Sequence, residues 1–173
     1  MKKLIALTLS AVMALSLVAC SSNDGQNEDS PNEKIKLEEN NGILEAIDVK
    51  NSPLEDCGVH VQVNKNDGTV TFIKTDEKGN DTTEYYKFTP SQNEVEQYYY
   101  VSMMGTGFYY YFDINAGEMV RMEDSNHNDS TESAKENGRF DKAAETLKAD
   151  VATLQTYFET NYGMSIADAV AGK

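Results

Sequence analysis

The chain has 173 residues and a formal net charge of −14 at pH 7, with 29 Asp and Glu against 15 Lys and Arg. Such acidity disfavours binding to nucleic acid and electrostatic attachment to anionic lipid, because both surfaces attract basic patches. The simplest role of the excess acids is solubility.

The first twenty residues predict an export signal. Lys2 and Lys3 form a basic start, an uncharged apolar stretch begins at Leu4, and small residues precede Cys20. A membrane-spanning helix needs about 20 apolar residues with matching flanks, so this shorter stretch is typical of a leader that is removed. We therefore expect residues 1–19 to be a signal peptide.

The leader ends in "LVAC", from Leu17 to Cys20, and this ending resembles the lipobox of bacterial lipoproteins. The resemblance covers only the leader and the next few residues. It implies that Cys20 is acylated, with palmitate among its lipids, and becomes the mature amino terminus. Several acyl chains would anchor a domain durably to the extracytoplasmic face of the cell membrane, since each buried CH₂ contributes about 0.8 kcal/mol. An ordinary secretory leader with an incidental cysteine is the alternative.

Two consequences follow for location. Ser21 is not the aspartate that favours inner-membrane retention, so the outer membrane is a further location if the host has two membranes. Loss of the leader with its two lysines changes the formal charge from −14 to −16. The lipid, and not surface charge, must therefore provide the anchoring.

Residues 21–41 carry almost no apolar side chain and many Ser, Asn, Asp and Glu residues. Such a segment cannot bury enough surface to offset the entropy of ordering, which predicts a disordered acidic tether. A flexible coil of about 20 residues spans on the order of 25 Å. Residues 42–173 have the length of a single domain, in which residues 42–49 fit either a strand or a short helix.

Cys57 is the only other thiol, so acylation of Cys20 leaves no partner for an intramolecular disulfide. A nucleophilic role for Cys57 would need a nearby histidine. His60 follows closely, but in a segment that alternates like a strand and not with helical spacing. We therefore favour a buried or inactive thiol.

The order of patterns in residues 42–173, strands first and a helix last, predicts an α+β fold. We expect an antiparallel meander sheet of about five or six strands with a long C-terminal helix packed on one face. Strands are predicted at 59–63, 69–75, 82–89, on both sides of Gly105 and at 118–122. Their boundaries come from turn signals at 66–68, 79 and 115–117, and from Pro90, which lacks a backbone donor.

Six tyrosines lie in two triplets, 98–100 and 109–111, around Gly105. A two-residue hairpin loop at Gly105 and Thr106 would place Tyr100 opposite Tyr111. Alternation along the strands then predicts two faces. The core face would carry Tyr99, Val101, Met103, Phe108, Tyr110, Phe112 and Ile114. The outer, half-exposed face would carry Glu96, Tyr98, Tyr100, Ser102, Tyr109, Tyr111 and Asp113.

Tyr98, Tyr100, Tyr109 and Tyr111 are the candidate binding residues. Tyrosine offers a large rigid surface with a polar tip, which favours protein and sugar contacts. A purely structural role is the alternative, because aromatic pairs across strands stabilise a sheet by roughly 0.2–1 kcal/mol without any ligand.

The segment from Glu123 to Gly138 is a loop by composition. Asp124, Asn126 and Asn128 alternate like the first ligands of a calcium loop. The glycine and glutamate that such a loop needs later are replaced by Asp129 and Lys135, so we favour a solvated loop without metal.

The clearest element is a helix from about Arg139 to Asn161. One apolar stripe of alternating three- and four-residue spacing runs along it: Phe140, Ala144, Leu147, Val151, Leu154 and Phe158. Gly163 is placed to end the helix, and Ser165 starts a capping box for a short last helix. We expect the stripe to cover Tyr99, Val101, Phe108, Tyr110 and Phe112, although a partner-binding seam is the alternative.

Catalytic patterns are poor. Neither His60 nor His127 belongs to a metal-binding helix pair, a nucleophile elbow or a zinc pattern, and no glycine-rich phosphate loop is present. We therefore predict a lipid-anchored envelope lipoprotein acting as a non-catalytic binding module for an envelope protein or glycan, without a cofactor. The alternatives are a structural or assembly accessory, or an enzyme with an unrecognised site. An enclosed pocket joining His60 to a carboxylate would favour the enzyme, and a flat tyrosine face would favour binding.

Overall fold

The structure, a computed structural model, describes residues 35–173. The predicted signal peptide 1–19, the lipidation site Cys20 and the tether up to residue 34 lie outside the described residues.

The described residues form eight strands and three α-helices. The strands are β1 (Glu38–Asn40), β2 (Ile43–Asp48), β3 (Gly58–Asn64), β4 (Thr69–Thr75), β5 (Asp81–Thr89), β6 (Glu94–Val101), β7 (Thr106–Asp113) and β8 (Glu118–Asp124). The helices are α1 (Thr131–Glu136), α2 (Arg139–Tyr162) and α3 (Ile166–Ala171). A short 3-10 helix, Pro90–Gln92, follows β5, so Pro90 marks the end of that strand as predicted.

All strands lie in one antiparallel sheet in the order β1 to β8, so the predicted α+β meander with a long C-terminal helix is confirmed. The prediction of five or six strands is too low, because β1 and β2 are additional. β2 settles residues 42–49 as a strand. β1 lies within the segment predicted as tether, where pairing of Glu38 with Glu45 orders polar residues that have little strand preference of their own.

The core lies between one face of the sheet and α2. The buried residues of α2 are Phe140, Leu147, Val151, Leu154, Tyr157 and Phe158, which includes most of the predicted stripe. The ring of Phe158 meets Phe72 of β4 edge to face, with 6.1 Å between centroids. The stripe is thus covered by the sheet, and α2 shows no apolar seam left for a partner.

The C-terminal end of α2 and the start of α3 follow from the sequence. The helix ends at Gly163, which has a φ of 72° and donates its N–H to the Glu159 carbonyl. Ser165 then caps α3 by accepting the N–H of Asp168. The predicted helix end and capping box are therefore confirmed.

Two hydroxyl contacts, one partly buried and one buried, position α2 on the sheet. Tyr86 of β5 donates to Asp150 at 2.6 Å. Tyr157 of α2 donates to Asp48 at the end of β2 at 3.0 Å. Both tyrosine hydroxyls satisfy carboxylates that would otherwise be costly to bury.

The segment predicted as a loop, 123–138, is shorter than expected. β8 continues to Asp124, and α1 begins at Thr131. The Asp129 carboxylate accepts the N–H of Thr131 at 2.8 Å, and Ala134 is fully buried. Burial of Thr131 and Ala134 packs this polar helix against the rest of the domain, which composition alone did not reveal.

The register of the β6–β7 hairpin differs from the prediction. Its loop is Ser102–Gly105, which joins the facing residues Val101 and Thr106. Tyr98 therefore lies opposite Tyr109, and Tyr100 lies opposite Gly107 and not Tyr111.

The reason lies in the loop geometry. Gly105 is the last residue of the loop, has a φ of 64° and donates its N–H to the Val101 carbonyl at 3.0 Å. Gly117 closes the β7–β8 loop with the same bond to Asp113 at 2.9 Å. The shift from the predicted register is an even number of residues, so each side chain keeps its predicted face.

Tyr99 is a second correction. Tyr110 and Phe112 are buried as expected, but Tyr99 is 40% exposed. Met103, also assigned to the core face, is 96% exposed. Tyr99 lies at the margin of the core beside Tyr110, with 6.4 Å between the ring centroids, and Met103 lies in the hairpin loop.

Candidate functional site

The face of the sheet opposite α2 carries a continuous set of rings. In the cross-strand register Tyr85 of β5 faces Tyr98 of β6, and Tyr98 faces Tyr109 of β7. His127, in the loop after β8, stacks on Tyr109. We call these four residues the aromatic row and the surface that carries them the outer face.

The rings of the aromatic row contact one another in sequence. Centroid separations are 6.1 Å for Tyr85 and Tyr98, 4.9 Å for Tyr98 and Tyr109, and 4.2 Å for Tyr109 and His127. The first and last pairs are stacked and the middle pair is tilted. Such contacts hold the ring orientations.

The absence of a side chain at Gly107 leaves room for the ring of Tyr98. A Cβ built on Gly107 would clash with the outer atoms of the Tyr98 ring. The ring therefore lies flat over the backbone of β7, which explains a glycine in the middle of a strand.

Glu96 lies beside the aromatic row and has two partners there. It accepts the Tyr85 hydroxyl at 2.8 Å and pairs with Lys87 at 3.0 Å. Burial, and then the bond to Glu96, raise the pKa of Tyr85. Tyr85 thus stays protonated and acts as a donor.

Tyr111 lies beneath Arg121. The guanidinium carbon is 3.9 Å from the ring centroid, and the Tyr111 hydroxyl donates to Glu123 at 2.9 Å. Glu123 also pairs with Arg121 at 3.2 Å and lies 3.1 Å from His127 Nδ1. Burial, and then the bond to Glu123, raise the pKa of Tyr111.

The four predicted binding tyrosines therefore have different positions. Tyr98 and Tyr109 are adjacent in the centre of the aromatic row. Tyr111 is on the predicted face but is buried under Arg121, so the expectation that its ring is half exposed is wrong. Tyr100 is 41% exposed on the hairpin beyond the row.

The sequence interpretation missed several members of this surface. Tyr85 could have been found, because alternation in "EYYK" places it on the same face as Lys87. Arg121 follows similarly from the strand at 118–122. His127 could not have been found, because its stacking depends on how the loop folds back.

His60 lies on the same outer face near the opposite edge of the sheet. Its Nδ1 is 2.9 Å from Asp81, and its Nε2 is 3.4 Å from Glu45. It lines an open hollow of about 840 Å³ beside residues 35–40. Both ring nitrogens face carboxylates, and the hollow is not enclosed, so the geometry offers no free base in a closed pocket.

Other candidates for chemistry are engaged in structure. The Asp124 carboxylate accepts the N–H groups of Asn126 at 2.8 Å and Asn128 at 3.0 Å. The side chain of Asn128 contributes most to lowering the pKa of Asp124. Across residues 35–173 no group of three or more His, Cys, Asp or Glu residues is placed to hold a metal ion.

Cys57 is partly buried and has a free thiol. Burial raises its pKa, which lowers the fraction of reactive thiolate. This environment is that of an inactive thiol.

Comparison of the chain with protein-family models, curated proteins and solved structures finds no match. In the part of the chain that the structure describes, no helix is long and apolar enough to cross a membrane.

Proposed function

We propose that this protein is a lipid-anchored lipoprotein of the cell envelope that binds a partner, without catalysis, through its outer face. The observation that carries the proposal is the ordered row of rings centred on Tyr98 and Tyr109, left uncovered by the helices. Lipid on Cys20 would hold this surface close to a membrane on its extracytoplasmic side.

The charges around the rings favour binding. Glu96 is paired with Lys87, and Glu123 with Arg121, so a partner that covers these groups meets charges that are already compensated. Unpaired charges would add a large desolvation cost on binding. The rings are also held in place, which reduces the entropy lost on association.

The other elements of the sheet and helices offer less to a partner. The apolar stripe of α2 is buried. At the β8 edge, Met122 donates its N–H to the Thr131 hydroxyl and accepts from Ser130 N at 2.8 Å, which closes part of that edge. The β1 edge is a strand of three exposed polar residues. Both edges resist strand addition, which weakens the role of a structural accessory acting through an edge.

A protein surface is the favoured partner. Rings interleaved with paired Lys, Arg and Glu match the mixed character of protein interfaces. A glycan is the second candidate because tyrosines stack on sugars, although the chain contains no tryptophan, the ring most suited to that contact.

The test is a pull-down from envelope extract together with a glycan screen, using the lipid-free mature chain 21–173. This chain contains every described strand and helix. We expect Tyr98→Ser/Tyr109→Ser to lose a specific partner while Tyr99→Ser, a tyrosine change on the opposite face, retains it. Loss of binding in both variants, or no partner for the unaltered chain, would reject the outer face as the binding surface.

Two controls complete the test. Melting temperatures of the variants must match that of the unaltered chain, since Tyr98 also stabilises the sheet. Labelling of the full chain with a palmitate analogue tests the anchor, and Cys20→Ala must abolish the label.

A further inference from the structure

The end of the β6–β7 hairpin forms ladder pairs only within itself. Pairing of β6 with β5 ends at Tyr98, and pairing of β7 with β8 ends at Phe108. The two strands of the hairpin continue to pair with each other as far as Val101 and Thr106. Side-chain contacts replace ladder pairing here: Glu84 of β5 accepts the Tyr100 N–H at 3.1 Å, and Thr106 contacts Ser125 after β8 at 3.0 Å. The loop Ser102–Gly105 follows at the end of this arm.

The tip of this arm exposes large apolar side chains. Met103 is 96% exposed and Met104 is 59% exposed. Tyr99 and Tyr100 lie just below them on opposite faces of the arm, each about two-fifths exposed. Four such side chains clustered at one end of the hairpin form a patch of the kind that marks protein or membrane contacts.

The arm also lacks charge. No Asp, Glu, Lys or Arg occurs from Gln97 to Phe112, in a chain in which 25% of the residues are charged. Burial of the segment's own side chains in an apolar medium therefore requires no desolvation of an ionised group. The nearest charges are Lys74 and Glu84, which pair with each other at 2.8 Å beside Tyr99 and Tyr100.

We propose that the hairpin tip, residues 99–106, inserts into the interface of the bilayer that carries the lipid on Cys20. This inference rests on the anchoring in the proposed function. Methionine side chains would enter the acyl region, and the tyrosines below them would lie at the headgroup level, where aromatic residues with a polar tip are enriched. The domain would then have a fixed orientation on the membrane and present its outer face in a constant direction.

The anchor makes the bilayer the favoured occupant of this patch. Ile35, the first described residue, follows Cys20 by 15 positions. Even fully extended, 15 residues span only about 50 Å, so an acylated Cys20 keeps the domain beside the membrane at all times. A weak apolar contact becomes effective when the tether supplies a high local concentration.

The chemistry of the tip predicts how this contact behaves. Because the tip has no basic residue, attachment does not depend on anionic lipid and is insensitive to salt. A basic protein partner docking on this acidic chain would show the opposite dependence on salt.

The chain contains no tryptophan, so Met103→Trp introduces a single fluorescent reporter at the tip. The mature chain 21–173, with an amino-terminal histidine tag, is held on phosphatidylcholine vesicles by nickel-chelating lipid. We expect the emission of this variant to shift to the blue and to be quenched by brominated acyl chains. Thr153→Trp, on the exposed side of α2, is the matched control and should show neither effect.

An unshifted, unquenched Met103→Trp would overturn the inference and leave the tip as a contact for protein. A second variant gives an independent result. Met103→Ser/Met104→Ser should fold normally, because both side chains are exposed, and should lower partition of the untagged chain onto the same vesicles by on the order of tenfold. Equal partition of this variant and the unaltered chain would also overturn the inference.

The nickel-chelating lipid allows membrane insertion of the tip to be tested independently of acylation of Cys20. It holds the chain at the bilayer whether or not Cys20 is acylated in the cell. Failure of palmitate labelling therefore rejects the natural anchor, while the tryptophan result still reports whether the tip enters a bilayer.

Discussion

The ring of Tyr98 lies against the backbone of Gly107 in the space that a Cβ at that position would need. This contact joins the centre of the aromatic row to the end of the β6–β7 hairpin. It also explains why a residue with low strand preference lies in β7.

Gly107→Ala should displace Tyr98. The clashing atoms form the outer end of the ring, which can swing away, so we expect a loss of about 1 kcal/mol in the free energy of unfolding, at the low end for overpacked sites. Near-ultraviolet circular dichroism should change, since tyrosine rings dominate it in a chain without tryptophan.

The double variant Tyr98→Ala/Gly107→Ala provides the control for this effect. If the clash is the cause, the alanine at Gly107 should add little cost once the ring is gone. Full additivity of the two changes in urea unfolding would contradict the contact.

Tyr157→Phe should be clearly destabilising. The change removes the hydroxyl that donates to the buried carboxylate of Asp48, for which we expect a cost of about 1–3 kcal/mol. Tyr162→Phe is the matched control, because its buried hydroxyl forms no well-aligned hydrogen bond among the described residues, although it lies close enough to Tyr157 to affect the pKa of that group. We expect the control to change stability by less than about 0.5 kcal/mol. Equal costs in denaturant titrations would argue against the Asp48 contact.

Stability should fall as the pH rises above about 10, the usual pKa of tyrosine. Burial raises the pKa of Tyr162 to about 12 and, with the bond to Asp150 as the second cause, raises that of Tyr86 as well. Above pH 10 the unfolded chain has therefore lost protons that the folded chain still holds, and this proton difference lowers the free energy of unfolding. The stability that these protonated tyrosines contribute is fully present below pH 10 and is lost as the pH rises toward their pKa values in the folded chain.

Urea titrations across the alkaline range, followed by tyrosinate absorbance, measure this dependence. Tyr86→Phe should flatten the fall, because one of the groups with a raised pKa is removed. A stability that stays constant or rises with alkaline pH would contradict the burial of these hydroxyls.

Glu123→Gln should weaken the outer face. Glu123 is buried and bound by Tyr111, Arg121 and His127, so loss of its charge should cost about 1–2 kcal/mol. Glu132→Gln is the control, since its pair with Lys135 is exposed and such pairs contribute roughly 0.5 kcal/mol or less. A cost for Glu123→Gln no larger than that of the control, measured by thermal unfolding at neutral pH, would show that this network adds no stability.

The sequence by itself determined the elements with strong local signals. The apolar stripe of α2, Gly163 at its end and the cap at Ser165 all depend on residues within a few positions of one another. Alternation along β6 and β7 likewise set the face of each tyrosine. The predicted register was wrong by an even number of residues. Because side chains alternate between faces with a period of two, each tyrosine still lies on its predicted face.

Tertiary structure decided which neighbours each residue has. β1 exists because β2 pairs with it, and α1 is held by one buried alanine and the bonds to β8. Tyr99 is exposed beyond the last β5–β6 pair, Tyr85 with Tyr98, and Tyr111 is buried because Arg121 reaches across from β8. These outcomes depend on contacts between residues that are distant in sequence. Local propensity does not contain information about such contacts.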